Sequence, residues 1–346
     1  MPLHLLPRSG TLILAILGAL LFQQLGLPLP FLFGPMIACL LAALAGTRLK
    51  GMGVVSTAAR TILGVAIGAS ITPEILSSIP QLTGSVALVP VYVVLIGLVG
   101  VPFFRRLGYD PATAWYAAMP GGLPDMVTFG KEAGGDARAL SLIHATRMLI
   151  IVTMAPILLT FLYGASLTGS LGEPTSELPP VELALMAVAA LIGWKGGEKI
   201  GLFGASILGP MMISAALSLG GFIHSRPPLE AILIAQVFIG IGIGVHYVGV
   251  SIRELRGFIF SGLLFVGILA LLAAAFTEIV IMAGLATPVE GFLSFAPGGQ
   301  AEMTVLALAA GADLGFVIVH HLTRMVTVIL GAPIAARWAG IKKLKQ

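Results

Sequence analysis

Charge is what this chain has least of: only 10% of its 346 residues are Asp, Glu, Lys or Arg. A water-facing surface carries roughly 25–35% charged residues, so a soluble globular domain is excluded. Cysteine is nearly missing as well. The single Cys39 lies in an apolar run, which rules out an intrachain disulfide and leaves packing as its expected role. No H-E-x-x-H, no cysteine pair and no cluster of histidines is present. The chain is therefore expected to hold no metal, to contain no catalytic residues and not to be an enzyme. The basic residues are scattered through short loops rather than gathered on one stripe, so the net charge of +4 reflects membrane topology and not a nucleic-acid partner. The apolar run after Arg8 is followed by no small-x-small cleavage site, and it reads as a first membrane span rather than a signal peptide.

What is present is 58% hydrophobic residues, 44 glycines and 13 methionines, with a mean hydropathy of +1.04. That composition predicts an all-α polytopic membrane protein, in which small residues let helices approach closely. A bilayer core needs about 20 helical residues per crossing. Apolar runs of that order predict spans near 10–28, 30–47, 58–79, 82–104 and 138–163, and again near 181–197, 202–223, 229–249, 257–285 and 314–336. A polar, proline-rich linker occupies 165–180. One stretch in each half, 111–134 and 288–311, is left over, each with a Pro-Gly-Gly in its middle.

These stretches expose a duplication. Residues 120–156 align without a gap on 297–333, and 13 of the 37 positions are identical. Pro120-Gly121-Gly122 pairs with Pro297-Gly298-Gly299, Asp125 with Glu302, Asp136 with Asp313, His144 with His321, and Thr146-Arg147-Met148 with Thr323-Arg324-Met325. Upstream, Gly34-Pro35-Met36 matches Gly209-Pro210-Met211, and Gly64 and Gly68 match Gly240 and Gly244. The chain thus divides into repeat 1 (1–164), an extracytoplasmic linker (165–180) and repeat 2 (181–346).

Charge arbitrates the topology. If each Pro-Gly-Gly stretch is a re-entrant hairpin and the N-terminus is cytoplasmic, one face collects Arg8, Arg48, Lys50, Arg105, Arg106, Lys131, Arg138, Lys195, Lys199, Arg253, Arg256, Arg337, Lys342, Lys343 and Lys345. Arg226 alone falls outside, and Arg60 lies near the inner end of a span. If the stretches cross fully, Lys131 to Arg256 of that set move outside, against the positive-inside rule. A straight helix through Pro120, Gly121, Gly122 and Pro124 would also lose backbone hydrogen bonds where lipid offers no replacement. The expected fold is therefore two inverted repeats, each of about five transmembrane helices and one broken, re-entrant hairpin. Inverted repeats with broken helices are a common construction of secondary transporters.

The candidate substrate-binding residues follow from this arrangement. Pro120, Gly121, Gly122, Pro297, Gly298 and Gly299 would open half-helix N-termini to an anion, or serve only as tight turns. Asp125 and Glu302 would cap those helices, or bind a cation or proton at mid-membrane. His144-x-x-Arg147 and His321-x-x-Arg324 place both side chains of each pair on one helix face. Either arginine would pair structurally with Asp125 or Glu302, or grip a carboxylate or phosphate with its histidine tuning the grip. Asp136 and Asp313 look like helix N-caps, and His246 and His320 like satisfied polar residues.

A doubled PGG…[DE]M…G-x-D…H-x-TRM…AP unit resembles the AbrB family of membrane proteins, which carry an internal duplication. The resemblance spans essentially the whole chain. Family members are often labelled ammonia monooxygenases or regulators of gene expression, neither of which the residues supply with a metal-ligand set or a DNA-binding module. The expectation is a secondary transporter of a small, carboxylate-like anion in a bacterial inner membrane, with both termini cytoplasmic. A proton or sodium ion would couple through Asp125 or Glu302, the partners being the solute and the bilayer, with homo-oligomerisation left open. The alternatives are a membrane sensor acting indirectly on gene expression and, third, a membrane oxidoreductase.

Overall fold

Prolines set where several helices start. The computed structural model describes residues 6–73, 82–167, 169, 171–202, 204–250 and 252–341. Lys342, Lys343 and Lys345, and the end of the expected 58–79 span, lie outside them. In chain order the helices are α1 (Arg8–Gln24), α2 (Pro30–Leu44), α3 (Val54–Ala69), α4 (Leu88–Arg106), α5 (Pro111–Ala118), α6 (Leu123–Glu132), α7 (Ala137–Tyr163), α8 (Pro180–Lys199), α9 (Ala205–Leu219), α10 (Leu229–Gly244), α11 (Ile252–Met282), α12 (Pro288–Phe295), α13 (Gln300–Ala310) and α14 (Leu314–Trp338). Pro30, Pro111, Pro180 and Pro288 open theirs, where the missing N–H has no helical partner to lose. Among the described residues there is no strand.

Among the described residues six helical stretches are long and apolar enough to cross a bilayer: Leu82–Arg106, Ala137–Tyr163, Pro180–Lys199, Leu229–Tyr247, Phe260–Met282 and Leu314–Trp338. This fits a multi-pass membrane protein. The helices in the expected spans 10–28, 30–47, 58–79 and 202–223 are shorter, at 17, 15, 16 and 15 residues. Apolar runs overstate them because backbone turns interrupt the runs: Gly26 and Leu29 both take positive φ between α1 and α2, and Gly204 does so just before α9. The two Pro-Gly-Gly stretches are broken as expected, into α5 and α6 and into α12 and α13.

The helices gather into two compact units, and each unit draws on both sequence halves. Unit 1 holds α1–α3, α8–α10 and residues 301–315; unit 2 holds α4–α7, α11, α12 and α14 from Phe316 onward, one division passing between Gln300 and Ala301.

Unit 1 is held by small residues at helix crossings. A Cβ on Gly64 or Gly68 of α3 would strike the backbone oxygens of Ile207 or Met211 in α9; one on Gly240 or Gly244 of α10 would strike those of Leu32 or Met36 in α2. Gly18 against Gly34 and Gly193 against Gly209 repeat the pattern for α1–α2 and α8–α9. The shared Gly-Pro-Met and paired glycines of the two halves therefore meet reciprocally, each half's α3-type helix lying on the other half's Gly-Pro helix. Cys39 is buried beside Gly244, the packing role expected of it.

Unit 2 has an aromatic core. Tyr92 packs edge-on to Phe295 (5.5 Å, 86°) and beside Phe276, while Phe104 lies 4.8 Å from Phe265. Asp110 Oδ1 accepts from Thr113 N (2.9 Å) to cap α5, and Thr287 with Glu290 forms a reciprocal capping box at α12. Asp136 accepts from the amides of Arg138 and Ala139 at the start of α7, the N-cap its sequence position indicates.

Candidate functional site: two latched helix breaks

Where a helix stops inside a protein, its last carbonyls need donors. At the first break α5 ends at Ala118, and Met119 turns to an extended conformation (φ −69°, ψ 132°). The donors come from α7. His144 Nε2 bonds the Tyr116 carbonyl (3.0 Å), Arg147 Nη1 the Met119 carbonyl (3.1 Å) and Arg147 Nη2 the Gly121 carbonyl (2.7 Å). The second break repeats this with α14. His321 Nε2 bonds the Leu293 carbonyl (2.9 Å), and Arg324 bonds the Ala296 and Gly298 carbonyls, both at 2.7 Å. The sequence separations of 28, 28 and 26 residues are the same in both copies.

The His-x-x-Arg face is thus a latch across the helix break. A cation there also opposes the negative end of the preceding helix dipole. Both arginines are nearly inaccessible, 3% and 4% exposed, and so are His144 and His321. The ion pair between Arg147 and Asp125, one of the roles weighed above, is not made; Arg147 takes backbone carbonyls instead. Each arginine keeps an Nε–H with no hydrogen-bond partner in the protein. Both guanidinium groups lie in unit 2, and the charge of Arg324 acts on Arg147.

Because a carbonyl can only accept, both histidines donate from Nε2, which leaves Nδ1 of the neutral ring as an acceptor. His321 Nδ1 receives Arg324 Nη2 at 2.9 Å, whereas His144 Nδ1 has no partner.

Gly121 and Gly122 are approached by side chains rather than by backbone. A Cβ on Gly121 would press on Met126 and Val328, and one on Gly122 would collide with Asp125 Oδ2. Asp125 therefore folds back over the start of α6 and is half-buried. Its counterpart Glu302 is only 4% exposed, and the cation whose charge acts on it is Arg60 of α3, both in unit 1. His320 Nδ1 bonds the Phe316 carbonyl at 2.8 Å and the ring stacks on Phe316 at 4.3 Å, but Nε2 is buried with no hydrogen-bond partner, so the residue is only half satisfied, against the expectation from sequence. Among the described residues no group of three or more His, Cys, Asp or Glu comes together.

Two residues escaped the sequence reading. Tyr92 Oη donates to the Phe295 carbonyl (2.8 Å), adding a fourth protein donor to the second break. Gln236, fully buried in α10, has neither amide atom bonded. The offset that relates Gly64 to Gly240 places Gln236 opposite Arg60 in the repeat, a signal that only the duplication makes visible.

The sequence profile of the family described as "Transition state regulatory protein AbrB" matches residues 31–340. The chain belongs to the AbrB family. An AbrB relative of Escherichia coli (strain K12), named "Putative regulator AbrB", is 26% identical over 340 residues, 94% of each chain. The "Uncharacterized protein YhjN" of Bacillus subtilis (strain 168) is 28% identical over 290 residues, 79% of this chain and 75% of its own length.

Proposed function

We propose that this AbrB-family chain is a secondary transporter of a small anionic, carboxylate-like solute, which is received where the two Pro-Gly-Gly turns and the two His-x-x-Arg helices converge. In this reading the halves lie inverted in a bacterial inner membrane with both termini cytoplasmic, and a proton or sodium ion couples through Asp125 or Glu302. The observation that carries it is the pair of buried arginines in one unit, each latched to a helix break in the same register.

A helix C-terminus offsets about half an elementary charge. Two latched guanidinium groups then leave about one positive charge uncompensated, which suits a monoanion. The turns themselves would supply the amides that α6 and α13 leave unpaired at their starts.

The test is uptake of short-chain carboxylates into vesicles containing the purified protein. Wild type should accumulate one of them saturably, and Arg147→Gln and Arg324→Gln, which keep a donor but remove the charge, should reduce uptake to that of empty vesicles while the protein stays folded. Uptake unaffected by both changes would sink the site. The second reading, a membrane sensor acting on gene expression, is favoured by the words in the E. coli relative's name. It requires a ligand that stabilises the protein without any flux.

A further inference from the structure

Unit 2 contains a cavity of about 400 Å³ whose walls include Val93, Gly97, Trp115, Met119 and Gly331. Its volume lies within the range of about 300–1,000 Å³ typical of ligand sites. The few polar atoms near it are already committed. Trp115 Nε1 donates to the Ala332 carbonyl (3.1 Å), and Thr327 Oγ1 donates to the Thr323 carbonyl (2.7 Å). A carboxylate, amide or hydroxyl entering there would give up its water and find no replacement bond, an unfavourable exchange. A hydrocarbon would lose nothing.

The cavity lies on α4 and α14, and its lining residues Val94 and Leu98 are themselves exposed, on a helix apolar enough to cross a bilayer. The medium against such a surface is acyl chain. Missing side chains create the hollow: a Cβ on Gly331 would meet nothing within 4 Å, and one on Gly97 would touch the end of Met119 at 3.1 Å.

We propose that this cavity is an intramembrane site for one hydrocarbon chain, supplied by a bilayer lipid. Met119 couples it to the first break, because its side chain lines the cavity while its carbonyl accepts Arg147 Nη1. The site does not depend on what the Pro-Gly-Gly turns carry.

The chain has three tryptophans, Trp115, Trp194 and Trp338. With Trp194→Phe and Trp338→Phe in place, Trp115 emission reports on the cavity in vesicles containing phospholipid with brominated acyl chains. Quenching is expected to saturate at a low fraction of brominated lipid, as a site does, and to be largely lost in Gly331→Leu, whose new side chain has room to fill the hollow. Ala335→Leu serves if that variant fails to fold. Quenching that rises in proportion to bulk lipid composition, or that both fillings leave intact, overturns the proposal. So does relief of quenching by a water-soluble short-chain carboxylate, which would make the cavity part of a solute path, or protection of Trp115 by self-association of the chain.

Discussion

The two helix breaks share one latch and differ in how firmly it is closed. In both, a histidine and an arginine bond the same three carbonyl positions. At the second break Arg324 also bonds His321, and Tyr92 holds the Phe295 carbonyl. The helix that follows is buried from Gln300 to Ala309, whereas α6 exposes Pro124 and Thr128 and half-exposes Asp125. Duplication has thus kept the geometry of the break while its surroundings diverged: the second copy has more side-chain bonds and deeper burial, and the first is the more exposed. In a transport cycle that moves one turn, the first would move.

The largest effect that tests this asymmetry is loss of the arginines. Hydrogen bonds to charged groups contribute about 1.5–3 kcal/mol each, so Arg147→Met should destabilise by about 3–6 kcal/mol. Arg324→Met loses the bond to His321 as well and should cost about 1–2 kcal/mol more. Equilibrium unfolding in mixed micelles measures both. Equal losses, or a larger loss at Arg147, would remove the distinction between the copies.

Tyr92→Phe is the next step down. It keeps the ring against Phe276 and Phe295 and deletes only the hydroxyl bond to the Phe295 carbonyl. Side chain bonds inside membrane proteins are worth about 0.6–2 kcal/mol, and the loss should be of that size. A cysteine introduced at Gly299 should then react faster with a thiol reagent, while one at Gly122 keeps its rate. Equal acceleration at both would mean that Tyr92 stabilises unit 2 generally and not the second turn.

Much of this arrangement was legible in the residues. Pro-Gly-Gly cannot continue a helix, its recurrence beside the same His-x-x-Arg marks both breaks, and Asp136 after a glycine marks the start of α7. What a buried arginine bonds was not legible. The sequence offers Asp125 as a charged partner, but unsatisfied carbonyls are equally good acceptors, and they exist only once the helix has broken 26 to 28 residues upstream. Tyr92 was invisible because the repeat does not preserve it: an offset of 177 puts Leu269 in its place. The two compact units were hidden for a different reason. Gly64 and Gly240 announce close helix contacts but not which helix answers, and here the answer lies in the opposite half of the chain.

The finest test separates the two histidines. Glutamine can put its amide N–H where Nε2 donates, yet it has nothing at the position of Nδ1. At His144 that position has no partner, so His144→Gln loses no bond and should cost less than the same change at His321. At His321 the same change removes the acceptor of Arg324 Nη2, a loss of about 1 kcal/mol. If that bond is the cause, the difference must vanish when both histidine variants are remade with Arg324→Met, because residues in one hydrogen-bond network are coupled and a double-mutant cycle isolates the shared term. A difference that survives the loss of Arg324 would trace to packing of the rings, and the second latch would then be no tighter than the first.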